Sequence, residues 1–214
     1  MICLDGAQIS EVLIKRGKRV CTSKDISGIF QGSYLALISR LINTGWLIPI
    51  KGFRGVYYVT DPDEKLKSYL KTDNFQILII VLNRLLGQDW YFGKTTAASL
   101  LGQAHQPVST YYVLNNKQSR HVSSNITGKI VLVKTSAEIT GSCGMVTKKY
   151  NDETYRVCTS ERNLADYLYM YIHGHASREQ ISKMMLECDL EKTRQIITKC
   201  YPKNSAKKMI ALLK

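Results

Sequence analysis

Residues 33–60 read SYLALISRLINTGWLIPIKGFRGVYYVT, and the order of elements they encode decides the fold. Leu35, Ile38, Leu41 and Ile42 recur at helical spacing, which predicts a helix from about Ser33 to Thr44 with these four facing inward. Ser33, Ala36, Arg40 and Asn43 fall on the opposite face, and Gly45 ends the helix. Trp46–Ile50 and Val56–Thr60 are two β-rich runs. The turn between them, Lys51-Gly52-Phe53-Arg54-Gly55, carries two glycines and two cations, the pattern of a hairpin with a basic tip.

Working outward, Ile9, Val12 and Leu13 predict a first helix that ends near Gly17. Thr22-Ser23-Lys24-Asp25 reads as a capping box with Thr22 as N-cap, opening a short helix from Lys24 to Phe30. Gln31-Gly32-Ser33 then makes a tight turn. Helix, short capped helix, turn, longer helix and basic hairpin is the order of a winged helix-turn-helix, here over residues 1–61. That fold implies double-stranded DNA as partner. The second helix of the pair enters the major groove, with Ser33, Tyr34, Arg40 and Asn43 toward the bases and Gln31 in the preceding turn. Arg40 can offer a guanine edge a bidentate fork. Lys24 faces phosphate at its helix start, and Lys51 and Arg54 contact phosphate or the adjacent minor groove.

The chain has 214 residues, with 30 Lys and Arg against 17 Asp and Glu, a net charge of +13. A field of that sign attracts polyanions, although generic solubility accounts for some of it. The excess is spread along the chain, so charge alone does not locate a face. The first residues lack a basic leader and a long apolar run, and the most apolar stretch, 77–82, is too short for a membrane span. Both features predict a cytoplasmic protein with no membrane partner. The cysteines at 3, 21, 143, 158, 188 and 200 include no CxxC pair, which speaks against zinc. They read most simply as buried thiols, although pairs such as Cys143–Cys158 or Cys188–Cys200 could bridge.

Residues 62–175 predict a larger mixed α/β domain, giving an α+β chain overall, and residues 176–214 a C-terminal helical segment. Asp61-Pro62-Asp63 breaks the chain ahead of a short connecting helix, 64–71. A strongly apolar helix spans Asn74–Leu86, and Trp90-Tyr91-Phe92 leads into a helix from Lys94 to Leu101. Strands are expected at 110–114, 129–134, 145–150 and 154–158, with a polar loop or hairpin turn at 115–128. Ser160, Ser177 with Gln180, Asp189 and Asn204 are the expected helix caps.

Candidate chemistry is sparse. Gly93-Lys94-Thr95 resembles the end of a phosphate-binding loop, but Gly87 lies one residue too far upstream and no strand cleanly precedes it. His173-Gly174-His175 at a helix end lacks further ligands with metal spacing. Asp166 is either exposed or buried and paired with Arg162 four residues earlier. No nucleophile–base set, cofactor or metal site is expected, and the chain does not read as an enzyme. A basic nuclease would need clustered acids near a lysine, for which Asp152-Glu153 with Lys148 and Lys149 is the one candidate. A winged helix that docks protein rather than DNA is the other alternative.

Three stretches together resemble the AbiEi-type antitoxin and transcriptional-regulator family: Arg54-Gly55-Val56-Tyr57-Tyr58-Val59, the run from Trp90 to Gly102, and Ser160-Glu161-Arg162-Asn163-Leu164-Ala165-Asp166, similar to the family's Glu-Arg-x-Leu-x-Asp helix start. The family's second motif commonly ends His-Gly, where this chain has Leu101-Gly102. The resemblance implies a promoter-binding N-terminal domain and a C-terminal domain that counters a nucleotidyltransferase-type toxin. The expected partners are operator DNA, a cognate toxin and a second copy of the chain on DNA.

Overall fold

The computed structural model describes residues 5–29, 33–103, 107–138 and 143–213. Among them the chain is mixed α+β with two sheets. It divides into two compact units, Met1–Val81 with Ser123–Gly128, and Leu82–Val122 with Lys129–Lys214.

The first unit begins with α1 (Gly6–Lys15), opened by a reciprocal capping box between Asp5 and Gln8. β1 (Val20–Thr22) was not expected, because three residues are too few to show a two-residue period. Then follow α2 (Ser23–Ile29), α3 (Tyr34–Asn43), β2 (Leu47–Pro49) and β3 (Val56–Val59). The capping box forms as expected, with the Asp25 amide donating to Thr22 Oγ1 and the Thr22 amide to Asp25 Oδ2. The sheet has the order β1-β3-β2, antiparallel throughout, with Thr22 opposite Val56 and Leu47 opposite Val59. Ile9, Leu13, Ile26, Ile38, Leu41, Leu47 and Val59 share one core. Leu35 does not join it. It is 64% exposed, because along α3 the packed core begins at Leu37 and Ile38. Phe30, Gln31 and Gly32 lie outside the described residues.

Asp61-Pro62-Asp63, expected as a chain break ahead of a helix at 64–71, instead forms the start of that helix. Pro62 is tolerated in the first turn, where its missing N–H is not needed, and Asp61 caps α4 (Pro62–Lys67). Glu64 of that helix is buried and accepts from Arg19 at 2.7 Å and from the Tyr58 hydroxyl at 2.5 Å. α5 (Asn74–Leu86) has the bounds its apolar pattern predicts and carries the chain from one unit into the other.

The second unit is built on a sheet of order β6-β7-β5-β4-β9-β8. Its strands are β4 (Trp90–Phe92), β5 (Thr110–Asn115), β6 (Arg120–Ser124), β7 (Gly128–Lys134), β8 (Met145–Tyr150) and β9 (Glu153–Cys158). Trp90–Phe92 is therefore a strand, paired antiparallel to β5 and parallel to β9. The stretch expected as a loop or hairpin turn contains a strand, β6, and with β6 intervening, β5 and β7 run parallel. α6 (Lys94–Leu100) follows β4, so a strand does precede Gly93. α7 (Ser160–Ile172), α8 (Arg178–Glu187), α9 (Leu190–Cys200) and α10 (Lys203–Ala211) enclose a core of Leu164, Leu168, Ile181, Ile197 and Met209. Thr159, not Ser160, caps α7, and Pro202, not Asn204, stands at the N-cap of α10. The cysteine pairs also differ from expectation. Cys143 is bridged to Cys200, while Cys158 and Cys188 are free.

Candidate nucleic-acid interface

The exposed surface of the first unit is set by how three short elements are tied together. The Ser23 amide donates to Gly55 O at 3.0 Å, and Thr22 stands opposite Val56 in the sheet. The start of α2 and the β2–β3 turn are therefore neighbours, and Lys24 and Arg54 sit one residue from that bond. Both side chains are exposed. Within the turn, Phe53 is buried and Gly52 and Gly55 take positive φ, +85° and +73°, which bends the backbone around the phenyl ring. Lys51 and Arg54 on either side are left exposed. The turn has a second support in the same unit. Asn125 accepts from the Lys51 amide at 2.8 Å and donates to Pro49 O at 3.2 Å.

On α3, Ser33, Arg40 and Asn43 are exposed and lie within one stripe at helical spacing. Tyr34 does not share it. It lies in line with Ile38 and Leu41, one turn beyond the core, and is 37% exposed. Together with Leu35 it forms an apolar edge at the start of the helix. Gln31 lies outside the described residues. The structure thus ties Lys24, Lys51 and Arg54 to one edge of the unit, and sets Ser33, Arg40 and Asn43 on one face of α3.

Behind this surface is a charge network that sequence patterning misses. Arg19 donates to Glu64 at 2.7 Å and to Asp61 at 2.9 Å, and Lys71 reaches Asp61 at 2.7 Å and Asp63 at 3.1 Å. Burial acts to raise the Asp61 carboxyl, but Lys71, the Glu64 amide and Arg19 outweigh it and hold the group well below the usual carboxylate range. Burial and the Glu64 hydrogen bond push Tyr58 up to about 12. Asp61 followed three residues later by Glu64 is the one local signal, since it is itself a capping box.

The second unit has its own buried polar centre. Tyr91 donates to Asp166 at 2.9 Å, Tyr201 donates to it at 2.5 Å, and Arg162 Nε lies 3.5 Å from it. Arg162 also donates to Cys143 O and Glu138 O, both at 3.0 Å. Burial works against the guanidinium charge, but Asp166 and the two phenols raise the Arg162 pKa above its ordinary value. Asp166 is therefore the buried, paired carboxylate of the two alternatives. Gly144 makes this possible by close approach. Its φ is +67°, and a Cβ there would stand 2.7 Å from Arg162 Cβ.

Lys148 Nζ donates to Leu100 O at 2.6 Å, and Glu153 accepts from Asn83, so Lys148 serves as a strut rather than as part of an acid–lysine cluster with Asp152. His173 and Gly174 close α7, and His173 packs against Tyr169 with ring centres 4.6 Å apart. Among the described residues no group of three or more His, Cys, Asp or Glu could hold a metal ion. None of the described helices is long and apolar enough to cross a membrane.

No protein-family model matches the chain, and no curated protein matches it. The fold is similar to that of the Rv2827c protein from Mycobacterium tuberculosis. The TM-score is 0.60 over 96% of this chain and 74% of that one, at 14% identity. At that identity the similarity concerns fold alone.

Proposed function

We propose that the first unit is a winged helix-turn-helix that binds double-stranded DNA, with α3 in the major groove and the β2–β3 turn as the wing. The observation that carries this reading is the Ser23–Gly55 hydrogen bond, because it sets the cations of the α2 start and of the turn side by side. A phosphate backbone running past that edge would meet Lys24, Arg54 and Lys51 together. Arg40 and Asn43, exposed on α3, are the side chains assigned to base edges. In a footprint of the DNA upstream of its own coding sequence, the protein should protect one bounded site. Two half-sites about 10 base pairs apart would indicate a homodimer. Uniform protection, or none, would contradict the reading.

The second unit is assigned the antitoxin role implied by the resemblance to the AbiEi-type family. The residues that carry the resemblance there, Arg162, Leu164 and Asp166, build its buried centre, which fits a scaffold role rather than a catalytic one. Coexpression tests this role. The chain should copurify with a nucleotidyltransferase-type toxin encoded beside it and relieve its toxicity. Failure of both would remove the antitoxin assignment and leave the DNA reading standing.

A second reading has one specific observation in its favour. Tyr34 and Leu35 form an exposed apolar edge at the start of α3, and such an edge suits a protein partner as well as a thymine methyl group. Retention of DNA binding by Leu35→Ser would favour the protein partner.

A further inference from the structure

The second unit contains a cavity of about 750 Å³ between β5, the start of β6, β7 and the C-terminal half of α7. Its size falls within the roughly 300–1,000 Å³ common for small-ligand sites. Lys94, Arg120 and Lys134 line it, with rings from Tyr112, Tyr169 and His173. The one carboxylate in its wall, Asp166, already takes hydrogen bonds from Tyr91 and Tyr201 and faces Arg162. Among the described residues none of the three cations is in an ion pair. The cavity thus combines an excess of positive charge with flat aromatic surface.

Lys94 is the most constrained of the three. Its φ is +54°, the left-handed region that non-glycine residues avoid. Asn163 holds it there from both sides, accepting from the Lys94 amide at 2.8 Å and donating to its carbonyl at 3.2 Å. Such backbone strain collects at ligand clamps. The ammonium lies over the Tyr112 ring, 5.0 Å from its centre, half-buried and with burial lowering its pKa. A desolvated cation held in one position by a strained backbone is poised for an anion that replaces lost water.

We propose that this cavity binds a nucleotide, its phosphates against Lys94, Arg120 and Lys134 and its base on the aromatic wall. Phosphate groups match the cations, and the rings offer a stacking surface that free phosphate does not need. The site lies wholly in the second unit, so it is separable from the DNA surface.

Titration calorimetry on the full chain tests this with ATP, tripolyphosphate and adenosine. ATP should bind more tightly than tripolyphosphate, and adenosine weakly. Lys94→Gln should weaken ATP binding by about tenfold or more, and Arg120→Gln and Lys134→Gln by smaller factors. Lys51→Ala with Arg54→Ala should leave ATP binding unchanged. Thermal melting of each variant checks folding; if Lys94→Gln fails to fold, the exposed Arg120 and Lys134 variants decide. No binding at about 1 mM ATP, or binding that survives all three substitutions, would overturn the site. Equal binding of tripolyphosphate and ATP would overturn the nucleotide assignment.

Discussion

Tyr91 on β4 donates its hydroxyl hydrogen bond to Asp166 on α7 at 2.9 Å, across 75 residues of sequence. The bond fastens a strand at the centre of the second unit's sheet to the helix that packs on it. Asp166 is 2% exposed and Arg162 fully buried, so removing one partner leaves the other buried and uncompensated. Asp166→Ala should cost about 3–5 kcal/mol in urea unfolding. Combining it with Arg162→Met should recover a large part of that loss, since both charges are then gone. A single variant within about 1 kcal/mol of the parent would show that the cluster does not hold the unit together.

Asp61 gives the first unit a defined response to acid. Its folded pKa is depressed. Its contribution is therefore fully present above the unfolded value of ~4 and is lost as pH falls below it. Asp61→Asn keeps a good N-cap for α4 but removes the titrating charge. Stability should drop between neutral pH and pH ~3, and the drop should be smaller in Asp61→Asn. Equal drops in both proteins would place the acid sensitivity elsewhere.

Cys143 and Cys200 close a loop with a sequence separation of 57. In the chain-entropy picture such a link is worth about 4 kcal/mol. Peptide mapping without reductant should recover the 143–200 pair, and Cys143→Ser should lower the melting temperature to that of the reduced parent. Recovery of Cys143–Cys158 or Cys188–Cys200 instead would contradict the fold around residue 143.

Arg40 and the pair Lys51 and Arg54 should fail differently on DNA. Arg40→Ala should reduce the preference for the operator over other sequences, by about 1–3 kcal/mol at the base it reads. Lys51→Ala with Arg54→Ala should weaken binding to all sequences alike. Loss of specificity in the turn variant and uniform weakening in the helix variant would reverse the proposed docking.

Legibility followed length and locality. α5 matched its apolar pattern because thirteen residues carry a sustained helical period. The Thr22–Asp25 and Ser177–Gln180 caps were legible because both partners lie within one turn. β1 and β4 were not, because three residues show no period. Whether Asp166 was buried depended on Tyr91 and Tyr201, 75 and 35 residues away, and cysteine spacing does not fix connectivity. At the candidate interface, the exposure of Arg40 and Asn43 followed from helical spacing and that of Lys51 and Arg54 from turn chemistry. Leu35 did not follow, because helical spacing does not show how far along α3 the core extends. The Ser23–Gly55 tie is a backbone bond, which side-chain patterns do not encode, and the Asn125–Lys51 tie spans 74 residues.

The most direct test of the central claim is the dissociation constant on the DNA upstream of the protein's own coding sequence, measured against a scrambled duplex from about 50 to 200 mM salt. The account predicts that log affinity falls linearly with log salt, and that the Lys51→Ala, Arg54→Ala variant has a slope shallower by about two. It also predicts a preference for the upstream DNA of about a thousandfold or more at every salt concentration. Equal affinity for both duplexes, or no binding at the lowest salt, would contradict it.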